Sequence, residues 1–487
     1  MMGRIKESPI TVGSEPVTMP ASKSRASGNR VAAAVSLLCL LAATGCSLPT
    51  RTAYQAPTLP TDSHWASPGS QAANANAGPW WTRFGDTQLD ALVDRVLQAN
   101  ANLAAAGIRL RQARLSSQLA ASQLQPTVSL SAGSTVSRSV DTSTPWVRAS
   151  SASLGASWQA DLFGQLASQR DAAQWEAVAT ERDLAATRLS LIGTTATAYW
   201  QLAYANERLA TGEQSLAYAW RALQLVQVQY GAGAVSRLEL RDAEQTVASQ
   251  EASQALLVQA RVQACNALAA LLGQQTYDGV ELQALPTGPL PEVDAGVPSE
   301  LLARRPDLGA AELRLRETLT TADATRASYY PALTLTGALG TTSGSLLSFL
   351  SNPAASFGVA LSQAVLNPGR IRLASGVARA SYDIAEQNFR QTFYDALRDT
   401  ADALSARTQY LVQGEALQRS FDAARDAEVL YERQYRAGAV PLRSWLDAQE
   451  RRRTAQGSLS DNRLNALNAQ VALYEALGGD VKISPSQ

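Results

Sequence analysis

Few side chains in this chain of 487 residues could make or break a covalent bond. It has one histidine, His64, and three cysteines, Cys39, Cys46 and Cys265. General-base catalysis beside a nucleophile, and His/Cys metal shells, both need more such groups. Neither a Gly-rich phosphate loop nor a G-x-S-x-G nucleophile elbow occurs after His64. Asp399 and Asp402 stand one helical turn apart, a spacing that on a long polar helix reads as a pair facing solvent or a lumen. Arg304 and Arg305 precede Pro306 and Asp307. At a helix start they could hold a phosphate, but pairing with carboxylates of neighbouring helices is the favoured reading. Pro306 fits the first helical turn and Asp307 the positive end of the dipole. Trp80 and Trp81 read as a packing anchor. No enzymatic activity, cofactor or metal site is expected.

The cysteine with a distinct chemical prospect is Cys46. Lys23, Arg25 and Arg30 precede an apolar run from Val31 to Ala43 that is too short to span a bilayer, followed by Thr44-Gly45-Cys46. All three methionines, Met1, Met2 and Met19, precede residue 31, so Met19 is a plausible start. Residues 1–45 therefore read as a signal peptide, and Ala43-Thr44-Gly45-Cys46 resembles a bacterial lipobox with Ala in place of its usual leading Leu. Cleavage there would leave Cys46 to be acylated, and two or more chains suffice for stable anchoring. Cys39 would leave with the signal, so no intramolecular disulfide is expected, and Cys265 reads as a small helix-packing residue. Basic and acidic side chains balance at 42 each, which argues against nucleic acid as a partner.

The elements that would position these residues come in two copies. QYGAGAVSRLELRDAEQ at 229–245 answers to QYRAGAVPLRSWLDAQE at 434–450, and a shift of 205 positions also carries Pro126 onto Pro331 and Gly273 onto Gly478. A unit this long is a duplicated half, not a solenoid repeat. Residues 46–79 are rich in Pro, Ser, Ala, Asn and Thr and read as an extended tether. The first repeat, 80–273, should open with one helix from Asp86 to about Leu124, ended by Pro126. Two strands follow within 127–158, with Val128, Leu130, Ala132 and Val136 alternating with Ser129, Ser131 and Gly133. Asp141 to Pro145 should turn between them. A helix of about 65 residues from Gly164 to Tyr230, ~100 Å long, then a Gly-bearing turn and a return helix complete the unit. A Pro-rich connector, 274–297, packs outside the rods. The second repeat, 298–480, restarts at Pro298-Ser299-Glu300 and again has a hairpin, at 332–363, a long helix and a return helix; 481–487 form a tail.

Four strands with one apolar face cannot close a membrane barrel alone, and an open edge cannot sit in hydrocarbon. Several copies would have to pool them. With that plan in place, Arg304-Arg305-Pro306-Asp307 followed by Ala310-Ala311-Glu312, the lead-in Tyr330-Pro331-Ala332-Leu333, the Tyr-x-Ala-Gly-Ala-Val turns and the ending from Leu467 to Gly479 resemble the outer-membrane factor family of efflux systems. The kinship is to its TolC-like, NodT-type lipoprotein members serving resistance-nodulation-division (RND) pumps. The resemblance implies a mainly α protein with membrane β: a homotrimer with a twelve-stranded outer-membrane barrel continued by an α-helical barrel through the periplasm. It further implies a passive exit duct for small molecules, coupled to a periplasmic adaptor and an inner-membrane RND transporter.

Carried over position by position, the family's periplasmic gate falls at Glu239, Asp242, Tyr435, Arg443 and Asp447. Arg443 stands where relatives often carry an apolar or acidic residue, so an ion pair from Arg443 to Glu239 is expected. The turns Ala232-Gly233-Ala234 and Ala437-Gly438-Ala439 suit adaptor docking, while their glycines also serve backbone geometry. Two other readings stay open: a duct for a protein-secretion transporter, and a lipid-anchored coiled-coil spacer or adhesin with soluble hairpins.

Overall fold

The computed structural model describes residues 51–59, 79–139, 145–293, 304–343, 353–363 and 367–479. Cys46, His64, the residues of the first hairpin turn at 141–144, those of the second loop at 344–352 and the helix restart at Pro298-Ser299-Glu300 lie outside them, as do the signal segment and the tail.

A short 3-10 helix, Trp80–Phe84, ends on Gly85 in the left-handed region, φ 68°. Helix α1 spans Thr87–Ala99, capped by the Asp86 carboxylate, and α2 spans Ala101–Ser122. The single helix expected from Asp86 to Leu124 is thus two helices. Asn100 divides them: its extended backbone ends α1, and its side chain accepts from the amides of Asn102 and Leu103 to start α2. Strands β1 (Thr127–Ser137) and β2 (Val147–Ala160) form the first hairpin. The long helix α3 runs Gln165–Gly231 and returns as α4, Arg237–Leu272. In the second copy α5 spans Pro306–Ala327, β3 Ala332–Ser343, β4 Pro353–Ser362, α6 Pro368–Arg436 and α7 Leu442–Ala476. Helices α2 and α5 begin and end 205 positions apart, as the sequence repeat does. The spans of 67 and 69 residues in α3 and α6 make rods of ~100 Å.

These helices form four columns. Helix α3 packs against α2, α4, α5 and α7, and α6 packs against α5 and α7. In each copy the return helix ends where the short helix begins, so α4 meets α2 and α7 meets α5 end to end. The Asn100 amide donates to the Leu271 carbonyl at 2.9 Å, and the Arg305 guanidinium donates to the Ala476 carbonyl at 3.4 Å. Both residues of the second bond are the first pair shifted by 205, so the same contact recurs with an amide in one copy and a charge in the other.

A belt of apolar side chains surrounds the waist of the columns. Trp80, Leu89, Val93 and Val96 pack on Ile192, Ala196 and Tyr199 of α3, Leu268 of α4, and Leu467, Val471 and Tyr474 of α7. Trp80 stacks on Tyr474 with ring centroids 4.8 Å apart. The connector joins this belt through Leu285, Leu290 and Val293, held by Arg463 donating to the Pro286 carbonyl and Gln470 to that of Pro291. Residues 51–59 are extended and docked on the helices. The Thr52 amide and hydroxyl both donate to the buried Asp323 carboxylate, at 2.6 and 2.8 Å, and Arg316 lies over the Tyr54 ring at 4.6 Å.

Candidate functional site: the strand faces and the helix turns

The four strands form one antiparallel sheet in the order β1-β2-β3-β4. Its register sorts side chains by face. Leu130 lies opposite Leu154, Leu154 opposite Leu339, and Leu335 opposite Val359, so Val128, Leu130, Leu154, Leu339, Val359 and Leu361 share one side. Phe357 on that side is 92% exposed and Leu130 79%. The other side carries small polar residues: Ser131 opposite Ser153, and Ser157 opposite Thr336. Ser131 and Ser153 join hydroxyls at 2.7 Å. An exposed apolar face of this extent has no place in water, and β1 and β4 each leave one edge unpaired.

At the far ends of α3 and α6 the two turns are built alike. Gly233 (φ 74°) and Gly438 (φ 72°) take the left-handed conformation that ends a helix without a Cβ clash. The Ala234 amide reaches back to the Gln229 carbonyl at 2.8 Å and the Ala439 amide to that of Gln434 at 2.9 Å. Residues Ala232, Gly233, Ala234, Ala437, Gly438 and Ala439 are all exposed. The turns differ in how the return helix begins. Ser236 starts α4 with a closed capping box, its hydroxyl accepting from the Glu239 amide and its amide donating to the Glu239 carboxylate. Pro441 starts α7 with no side-chain cap.

The structure places Glu239, Asp242, Tyr435, Arg443 and Asp447 at this end but does not join Arg443 to Glu239 within the chain. Glu239 is engaged by the Ser236 amide at 2.8 Å, and Arg443 forms no ion pair with any described residue, contrary to the expected latch. The first turn of a helix competes for an acid three residues after a Ser cap, and that local bond prevails. Tyr435 stacks on Trp445 at 5.4 Å, and its hydroxyl accepts from Gln229 of the first copy at 3.2 Å. A small cluster of Ala219, Leu223, Val226, Ala243 and Val247, with Leu442 against it, packs the two turns together. Gln229 and Trp445 were not singled out by sequence; Gln229 sits one residue before the Tyr-x-Ala-Gly-Ala-Val motif, and that adjacency was the available signal.

Above the turns a polar seam links α3 to α7. The Tyr204 hydroxyl donates to Asp461, and burial pushes its pKa up to about 12. Ser460 donates to Glu207, whose other oxygen accepts from the Leu285 amide of the connector. At the waist the Arg305 guanidinium, 12% exposed, grips Asp307 with two bonds of 2.7 and 3.1 Å and approaches Asp399 at 3.8 Å. Its donors are thus taken by carboxylates and the Ala476 carbonyl, the arrangement of a structural clamp. Among the described residues no group of His, Cys, Asp or Glu could hold a metal ion.

Residues 92–274 and 297–479, the two copies, each match the outer membrane efflux protein family. The pyoverdine export outer membrane protein OpmQ of Pseudomonas putida is 32% identical over 450 residues, covering 88% of this chain and 94% of its own. The outer membrane protein OprJ of Pseudomonas aeruginosa is 29% identical, covering 91% and 95%. The open state of the Neisseria gonorrhoeae outer membrane channel MtrE superposes with a TM-score of 0.76 at 27% identity, covering 88% of this chain and 98% of that one. Exposed strand faces, long helical columns and these likenesses converge: the chain belongs to the outer membrane efflux protein family and is an efflux channel of the outer membrane.

Proposed function

We propose that three copies of the chain pool their four-stranded sheets into a closed barrel of twelve strands, with the columns continuing it as a helical tube. The observation that carries this reading is the sheet itself: one apolar face, one Ser/Thr face, and an unpaired edge at each end. Closure satisfies both edges, and the Ser/Thr face becomes the wall of the lumen. The duct is passive and serves small molecules delivered by an RND transporter through an adaptor. Pyoverdine export by its relative OpmQ is compatible with this. Cys46 is acylated and fixes the chain to the inner leaflet.

At the periplasmic end Glu239, Asp242, Tyr435, Arg443 and Asp447 form the gate, and the two exposed turns receive the adaptor. Arg443, which pairs with no described residue of its own chain, meets a neighbouring chain when the tube is shut. In the outer-membrane fraction the protein should run as an SDS-resistant oligomer that heating converts to monomer, and its purified form should conduct in planar bilayers. A soluble elongated monomer that forms no pores would refute the duct.

A further inference from the structure

The two end-to-end junctions, α4 onto α2 and α7 onto α5, are equivalent in backbone and opposite in chemistry. The first is built with Asn100, Asn102, Thr194, Thr197 and Ala270. The positions 205 later are Arg305, Asp307, Asp399, Asp402 and Glu475, and these five line one cavity of ≈ 610 Å³ in the second junction. Five substitutions of neutral by ionisable residues around one space are more than a structural contact requires, and Arg305 alone already makes that contact.

We propose that Glu475 is a proton-responsive wedge at the α7–α5 junction: neutral, its carboxyl lies tight against Gly193 of α3; ionised, it leaves that position and the junction loosens. The fit is close. A Cβ on Gly193 would overlap the Glu475 Oε1 and Cδ, so the carboxyl occupies the space a side chain would take. Its carboxyl has no hydrogen bond or ion pair with any described residue.

Charged side chains line the same cavity, but burial alone raises the carboxyl. From α5 and its cap come Arg305 and Asp307; from α6, Asp399 and Asp402; from α3 only Ala186, Leu189 and Ser190; and from its own helix, alanines. Among the described residues Arg305 is the one cation lining the cavity, and it is already shared by Asp307 and Asp399. Burial pushes the Glu475 pKa up to about 7. A carboxyl raised in the folded state adds stability in full below its unfolded pKa and loses it as pH rises through the folded one. The window therefore runs from the ordinary carboxylate range to just above neutrality, and the junction is tight in acid.

Near-UV circular dichroism of the full chain in detergent, at one fixed protein concentration, tests this. The thermal midpoint of the wild type should fall between about pH 5 and about pH 8, by roughly 2 °C or more. Glu475→Gln, which keeps the shape and removes the charge, should flatten that dependence and melt above the wild type at the alkaline end. Gly193→Ala, whose methyl would take the place of the carboxyl, should flatten the dependence as well. Full wild-type pH dependence in Glu475→Gln overturns the proposal. If that variant does not fold, full wild-type pH dependence in Gly193→Ala overturns it instead.

Discussion

Glu239 holds the Ser236 amide, so its charge is spent on starting α4 and not on Arg443. The two residues therefore answer differently to substitution. Glu239→Ala should weaken the start of α4 by about 0.5–1 kcal/mol, seen as faster hydrogen exchange at the Ser236 amide, which loses its acceptor. Arg443→Gln leaves that cap intact and should raise single-channel conductance in planar bilayers. An unchanged conductance would remove Arg443 from the gate. Sequence made both residues visible as charges near a turn. It could not show which bond Glu239 prefers, because the nearby backbone donor and the remote guanidinium are both good partners and only distance separates them.

At the scale of elements, Asn100 is a cap and a clamp at once. It satisfies two amides of α2 and reaches the last turn of α4. Asn100→Ala should cost about 1–2 kcal/mol, read as a lower thermal midpoint with lost exchange protection at Asn102 and Leu103. The break it causes was hidden because Val96, Leu97 and Leu103 keep near-helical spacing across it. Apolar periodicity reports which face is buried and is blind to a one-residue interruption. The hairpins, long helices and return helices were legible for the complementary reason: alternation of period two and Pro-free runs are properties of single elements. The docking of 51–59 was not legible, since Thr52 and Tyr54 find Asp323 and Arg316 some 260 to 270 positions away, and composition alone suggested a free tether.

For the whole molecule, the two sides of the sheet predict opposite tolerances. Leu130→Arg puts a charge on the exposed apolar face and should cost about 2–4 kcal/mol if it lies near the bilayer midplane, with loss of SDS-resistant oligomer from the outer-membrane fraction. Ser131→Arg, one residue along and on the other side, should leave the oligomer intact and lower its conductance. Equal loss in both would contradict a lipid face opposed to a lumen. The long-range symmetry of the chain was plain in its sequence, whereas the meeting of its five ionisable departures around one cavity is visible only in the fold. The asymmetry between the copies extends to the tips, where one return helix starts on the Ser236–Glu239 capping box and the other starts at Pro441 with no side-chain cap, its Trp445 stacked on Tyr435 instead. A partner that grips both tips with identical fingers therefore meets two different fastenings, a pair of hydrogen bonds in one copy and a pair of stacked rings in the other, so load applied evenly is not resisted evenly.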